Sequence, residues 1–223
     1  MNEVKWNADG LLPAVAQDRL TGQVRMVAWM NREALEATLA SGEATFYSRS
    51  RAKLWRKGET SGHVMKVTQV ALDCDADTLL LMVDPAGPSC HTGHETCFFQ
   101  TLRPETSDDA PSEHEVGPFL LTLEAELAER AKSTAARSYT RSLLDAGIPK
   151  ISAKINEEAL EVCAALANES DERVASEMAD LLYHMLVGLR ARGMDWRQVM
   201  EVLASRSGRS GLAEKASRAP KPG

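Results

Sequence analysis

The segment 104–118 contains three prolines, five acidic residues and no lysine or arginine, and Val116 is its one large aliphatic side chain. Such a stretch buries too little apolar surface to offset the entropy lost on ordering, so a single hydrophobic core cannot run through it. The chain is therefore read as two domains, 1–103 and 118–223, joined by an acidic linker over 104–117. With 223 residues and a hydrophobic fraction of 43%, each half, at about 100 residues, is long enough to fill its own core.

The periodicity changes across the linker. Before it, short runs rich in valine, threonine and aromatic residues predict strands over 23–29, 44–47, 64–72, 78–83 and 97–102. One helix interrupts them, with Asn31 as N-cap and Gly42 as C-cap. The first half reads as a small α+β domain on a mostly antiparallel sheet. After the linker, Ile151, Ile155, Ala159, Val162 and Leu166 form one helical stripe. Val174, Met178, Leu181, Met185 and Leu189 form another, ending at Gly193. With further helices over 119–132 and 196–205, the second half reads as an all-α bundle. Residues 218–223 are expected to be a frayed tail.

Several function classes are excluded at this level. No apolar run approaches the roughly 18 residues of a membrane span, and the start lacks the apolar region of a signal peptide, so a cytoplasmic, membrane-free protein is expected. A net charge of −6 argues against general nucleic-acid binding, which needs a basic surface. In a reducing compartment, cysteines near acids and histidines serve as metal ligands or reactive thiols more often than as disulfides.

Three of the four cysteines, Cys74, Cys90 and Cys97, are separated by 15 and then 6 residues. Thiolates suit zinc, and three protein ligands leave a fourth position open for water. A closed site with His91 or His94 as fourth ligand fits the spacing too, as do plain thiols in a β core. Asp73, Asp75 and Asp77 alternate around Cys74. Like charges at that spacing repel unless a hard cation such as magnesium, or a solvated turn, relieves them. Upstream, Arg49, Arg51, Lys53, Arg56 and Lys57 precede the loop Thr60-Ser61-Gly62. An RNA-binding patch has this look, but in an acidic chain a compact anion held by arginines and loop N–H groups is the better reading.

Here a family resemblance becomes specific. The stretch Trp55-Arg-Lys-Gly-Glu-Thr-Ser-Gly62, the Asp73-Cys-Asp-Ala-Asp77 cluster and the Cys90 to Cys97 segment together resemble phosphoribosyl-AMP cyclohydrolase, the third-step enzyme of histidine biosynthesis, over about residues 10–103. The resemblance implies that Cys74, Cys90 and Cys97 hold zinc across a homodimer, and that Asp73, Asp75 and Asp77 bind magnesium. The implied substrate carries an adenine alkylated at N1, which zinc-activated water opens at the N1–C6 bond. His91 is the candidate for proton transfer. Arg49, Arg51, Trp55, Lys57, Thr60, Ser61 and Gly62 are the candidate substrate contacts. Met65 stands where a polar residue, often glutamine, is expected in this family.

In the helical half, Lys154, Glu158 and Glu161 share one helix face, and Glu177 and Asp180 repeat the i, i+3 spacing on the next helix. Single surface glutamates are usually solvated. Two pairs on consecutive helices joined by a short turn at 168–171 would meet, and four acids without a cation repel. Oxygen ligands of this kind suit magnesium. The motif Glu157-Glu158-x-x-Glu161, then Glu177-x-x-Asp180, resembles the all-α nucleoside triphosphate pyrophosphatases related to MazG. With Ser138-Tyr-Thr, Gly147-Ile-Pro and Lys150-Ile-Ser-Ala-Lys154 ahead of it, the closer likeness over about 117–207 is phosphoribosyl-ATP pyrophosphatase. That implies nucleotide binding, ATP moiety included, and cleavage between the α and β phosphates. Glu158, Glu161, Glu177 and Asp180 would hold magnesium, Lys154 would meet substrate phosphate, and Glu157 or Glu158 would orient water. Cys163 reads as a core residue.

The combined order resembles the bifunctional histidine-biosynthesis enzymes, in which step two lies C-terminal to step three, and implies a homodimer. Two rivals differ in kind. One is a closed zinc interaction module fused to a housecleaning nucleotide pyrophosphatase; the other is an RNA-binding protein with no catalysis.

Overall fold

The computed structural model describes residues 4–100, 117–132 and 138–207. It divides into two compact units, Met1–Pro118 and Phe119–Gly223. Nearly all of the segment read as a linker lies outside the described residues, as does the expected tail.

The first unit runs β1 (Leu12–Asp18), β2 (Val24–Met30), α1 (Arg32–Ser41), β3 (Thr45–Ser48), β4 (Lys53–Arg56), β5 (Met65–Leu72) and β6 (Leu79–Pro85). Four strands form a sheet in the order β2-β1-β6-β5, and β3 and β4 form a hairpin of their own. Pairing is antiparallel for β1–β2 and β5–β6 and parallel for β1–β6, where Ala14 faces Leu79 and Ala16 faces Leu81. Alternation directs Leu12, Ala14 and Ala16 of β1, and Leu79, Leu81 and Val83 of β6, into one core with Met30, Phe46 and Met65. α1 begins where the Asn31 side chain accepts the Ala34 N–H at 2.8 Å, and ends at Gly42, whose φ of 70° is left-handed. Thr38 fastens it to β3, its hydroxyl accepting the Thr45 N–H at 3.0 Å.

Two strands were illegible in the sequence. β1 carries Pro13 and small alanines, and β4 lies within the basic cluster, so neither has a β-branched signature. The strand expected over 97–102 does not form across its described part: residues 97–99 are irregular, Gln100 makes a single β-bridge, and the segment is bound to β2 through the Cys97 N–H and the Arg25 carbonyl, 2.8 Å apart.

The second unit comprises α2 (Phe119–Lys132), α3 (Tyr139–Asn168), α4 (Asp171–Ala191) and α5 (Trp196–Arg206). α3 is broken at Gly147 (φ 77°, ψ −177°), and Pro149 opens its second segment, where a missing N–H costs little. Ser170 caps α4, so the chain reverses within the short turn expected. Leu127, Leu143, Ile151, Leu186 and Val187 form the core.

The predicted stripes are only partly buried. Ile151 and Val162 are inside, but Leu166, Met178 and Met185 are exposed. α4 instead turns Glu177, His184, Leu186 and Val187 inward, a polar-containing face that hydropathy alone ranks below the methionine stripe. Cys163 is exposed and not in the core. It follows the buried Val162 by one position, about 100° round the helix.

Candidate functional sites

Packing of α3 on α4 brings the two carboxylate pairs together. Single oxygens of Glu158, Glu177 and Asp180 lie within 4.8 Å of one another, and Glu158 and Glu177 are only 5% and 3% exposed. Glu161 is exposed and stands outside this group of three, but its side chain interacts with Glu177: hydrogen bonding with Glu177, then desolvation and the charges of Glu177, Glu158 and Glu157, raise its carboxyl above the ordinary 4.5. Lys154 Nζ reaches Glu158 at 2.8 Å and Glu157 at 2.9 Å, and Arg173 pairs with Glu177. Hydrogen bonds to Glu158 and Glu157 raise the Lys154 pKa, and the reciprocal bond lowers that of Glu157.

Sequence reasoning missed His184, which is buried beside this cluster. Its Nδ1 lies 2.8 Å from the Asp180 carbonyl, which can only accept, so Nδ1 carries hydrogen. Nε2 meets the Tyr139 hydroxyl at 3.0 Å, and Nδ1 is also 3.7 Å from a Glu158 oxygen. The only trace in the sequence is a histidine inside the apolar run Leu181–Val187. The cluster is an oxygen-lined, partly buried set of negative charges with two cations at its edge. It suits a hard divalent cation and, through Lys154, a phosphate.

In the first unit, the β5–β6 turn holds Asp73, Asp75 and Asp77, all exposed, with ligand oxygens within 4.8 Å of one another. Asp73 shapes the turn by accepting the N–H groups of Asp77 at 3.0 Å and Thr78 at 3.1 Å. Burial opposes its ionisation, but those bonds prevail and hold it below its usual value. Cys74 is exposed in the same turn.

Cys90 and Cys97 meet in the loop that follows β6. The Cys90 N–H bonds the His94 carbonyl at 3.0 Å, and the Thr92 hydroxyl donates to Cys90 Sγ at 3.0 Å. Burial works to raise the Cys90 thiol, yet hydrogen bonds from Thr92, Cys97 and His91 outweigh it and lower the pKa below 9.0. Cys97 is exposed as a residue, but desolvation of its sulfur within the loop, then the neighbouring Cys90 charge, push the thiol up to about 11, against the opposing charges of Lys57 and Arg25. Among the described residues of one chain, Cys74 forms no three-ligand group with this pair, and neither His91 nor His94 completes one. His91 is exposed with Nδ1 3.9 Å from Cys90 Sγ, and the His94 ring stacks on Phe99 at 3.9 Å.

The basic cluster is divided by the hairpin. The Arg49 guanidinium lies over Trp29 at 4.8 Å, Arg51 Nε meets Ser48 at 3.2 Å, and Arg56 pairs with Glu43 at 2.9 Å. Trp55 packs beside Phe46 on the core. Lys57 is 8% exposed, its Nζ donating to the His63 carbonyl. Burial lowers its pKa against the pull of Cys97. Thr60, Ser61 and Gly62 lie exposed between β4 and β5. The close approach of Val64 N to Gly58, 2.4 Å from where a Cβ would sit, excludes any side chain there. Met65 is 1% exposed and fills the core, so that position is structural here.

Arg25, buried against the thiol loop, is the second residue missed; a lone arginine in an apolar strand carries no motif.

Residues 26–99 match the family described as phosphoribosyl-AMP cyclohydrolase, and residues 120–207 match phosphoribosyl-ATP pyrophosphohydrolase. Over 98% of this chain and 97% of its own length, a histidine biosynthesis bifunctional protein of Wolinella succinogenes is 41% identical. One from Parasynechococcus marenigrum is 43% identical over 93% of this chain and 94% of its own. A chloroplastic one from Arabidopsis thaliana is 41% identical over 98% of this chain and 80% of its own.

Proposed function

Since the chain belongs to the family of bifunctional histidine-biosynthesis enzymes that join a phosphoribosyl-AMP cyclohydrolase domain to a phosphoribosyl-ATP pyrophosphohydrolase domain, we propose that each unit performs the step its own part of the chain resembles. The helical unit hydrolyses phosphoribosyl-ATP to phosphoribosyl-AMP and pyrophosphate, and the first unit then opens the adenine ring of that product. The observation that carries the first assignment is the meeting of Glu158, Glu177 and Asp180 beside Lys154, with Glu161 interacting with Glu177 at their edge.

The all-oxygen set fits magnesium, which when bound supplies charge neutralisation for the phosphates. Lys154, held between Glu157 and Glu158, is placed to exchange a carboxylate for a phosphate oxygen. Glu157 or Glu158 orients the attacking water and takes up its proton. His184 and Tyr139 keep Glu158 and the Asp180 backbone in place.

Magnesium binding requires an ionised Glu161, whose pKa is raised in the folded, metal-free chain. The stability this group contributes is therefore present below 4.5 and lost as pH rises through the raised value. Titration calorimetry in buffers of different ionisation enthalpy is expected to show magnesium affinity falling, and proton release growing, as pH drops toward that value. Glu161→Gln should abolish the proton release; release unchanged in that variant would refute the assignment.

In the first unit, the paired thiols of Cys90 and Cys97 suit zinc. Within one chain Cys74 does not join them, which favours a homodimer in which a second copy supplies Cys74. The exposed apolar residues Leu160, Leu166, Met178 and Met185 are further surface for self-association. Zinc would supply the Lewis acidity for the hydrolytic water. His91, exposed beside Cys90, serves proton transfer, and Asp73, Asp75 and Asp77 hold magnesium. Arg49, Arg51, Trp55, Lys57 and the 60–62 loop form the substrate side, Lys57 acting from beneath the thiols.

Alkylation mapped by mass spectrometry gives a direct test of the thiols. In metal-stripped protein Cys90 is expected to react before Cys97, because its thiol is lowered and that of Cys97 is pushed to about 11. Zinc should protect both, and equal reactivity with and without zinc would exclude the pair as ligands.

A further inference from the structure

β2 is the outer strand of its sheet, and the thiol loop is bonded to its first residues, Val24 and Arg25. Arg25, near the start of β2, is 4% exposed, yet every arm of its guanidinium is engaged. Nε donates to Ser89 Oγ at 3.0 Å, Nη1 to Gln23 Oε1 at 3.2 Å, and Nη2 to the Gly87 carbonyl at 3.2 Å. Nη2 also forms an ion pair with Glu95, and the fully buried Asp18 carboxylate lies 4.0 Å from Nη1. The backbone repeats the connection, since the Arg25 carbonyl receives the Cys97 N–H at 2.8 Å, and the Thr96 hydroxyl donates to the Val24 carbonyl at 2.7 Å. Both branches of the loop are thereby tied to one side chain, through Ser89, which immediately precedes Cys90, and through Glu95, two residues before Cys97, while Thr96 is tied to the β2 backbone.

Arg25 and Asp18 are buried while Glu95 reaches solvent, and a charge network with buried members rarely improves stability over an apolar replacement of similar volume. What it does supply is fixed geometry, because a planar fork dictates the directions of its partners in a way that a lysine ammonium cannot.

We propose that Arg25 is a positioning residue for the zinc site, its guanidinium holding the two branches of the 87–97 loop so that Cys90 and Cys97 present their sulfurs to one ion. This rests on the reading of those cysteines as zinc ligands. The loop has no strand or helix of its own to do this, and loss of the residues that orient metal ligands typically costs about 10–100-fold in affinity.

The test uses the full chain, stripped of metal, with zinc affinity measured by chelator competition and the site probed by the thiolate charge-transfer absorption of added cobalt(II). Arg25→Met and Arg25→Lys are both expected to weaken zinc binding by about 10–100-fold and to alter the cobalt spectrum. Pyrophosphate release from phosphoribosyl-ATP should stay at the parental rate. Parental zinc affinity and an unchanged cobalt spectrum in Arg25→Met would overturn the proposal. So would full rescue by Arg25→Lys, which would make charge and not the fork the cause. Should Arg25→Met fail to fold, Glu95→Gln and Ser89→Ala each release one tether while leaving the guanidinium seated. Both are expected to weaken zinc binding, and parental affinity in the two would equally refute the idea. Failure of the underlying reading looks different: the parent would then give no thiolate–cobalt band, or Cys90→Ser would bind zinc as the parent does.

Discussion

Glu158→Gln is expected to lower pyrophosphate release from phosphoribosyl-ATP by about 10²–10³-fold or more, a loss of about 3–4 kcal/mol in transition-state stabilisation. Glu158 is 5% exposed, shares a cluster with Glu177 and Asp180, and accepts the Lys154 ammonium at 2.8 Å. A neutral amide of the same shape keeps the packing but removes the negative charge that holds both a divalent cation and the lysine. The fold should survive, because the change relieves repulsion among converging acids even as it weakens the bond to Lys154. Ring opening of supplied phosphoribosyl-AMP should stay at the parental rate. Separate assays of pyrophosphate and of ring opening decide the matter. Parental pyrophosphate release in the variant would remove Glu158 from the site, and loss of both activities in folded protein would contradict two independent sites.

Cys90→Ser is expected to have the converse effect, lowering ring opening by more than about 100-fold, because a lost ligand should cost at least what a lost orienting residue does. A serine hydroxyl remains protonated and does not replace a thiolate on zinc. The Thr92 hydroxyl, which donates to the Cys90 sulfur at 3.0 Å, finds an acceptor in the serine oxygen as well, so the loss falls on the metal and not on the loop. Pyrophosphate release should be unaffected, and zinc content measured after dialysis should fall with the activity. Full ring opening in protein that no longer retains zinc would dismiss the metal from the reaction.

Elements with strong local signals were legible in advance. Asn31 and Gly42 bracket α1 because capping is a short-range interaction of one side chain, or one left-handed residue, with its own turn. α2 and α5 likewise follow from apolar spacing over a few turns. β1 was not legible, since Pro13, Ala14 and Ala16 have low strand propensity and are held there by pairing with β2 on one side and β6 on the other. The methionine stripe of α4 failed for a related reason. Hydropathy ranked Met178 and Met185 above Glu177 and His184, but the acids of α3 and the Tyr139 hydroxyl make the polar face the one with partners inside this chain.

What the sequence determined by itself was the division into a strand-rich and a helical half, the family of each, and the identity of the acidic clusters. Those rest on periodicity and on motif spacing, which are properties of local chain. Only the tertiary structure decided which side chains meet. It brought Glu158, Glu177 and Asp180 within reach of one ion, placed His184 beside them, seated Met65 in the core, exposed Cys163, and set Arg25 against the thiol loop. Arg25 and Ser89 are far apart in sequence, and no local propensity encodes such a contact. It exists because a buried guanidinium must find acceptors, and the fold puts them on the loop that carries Cys90 and Cys97.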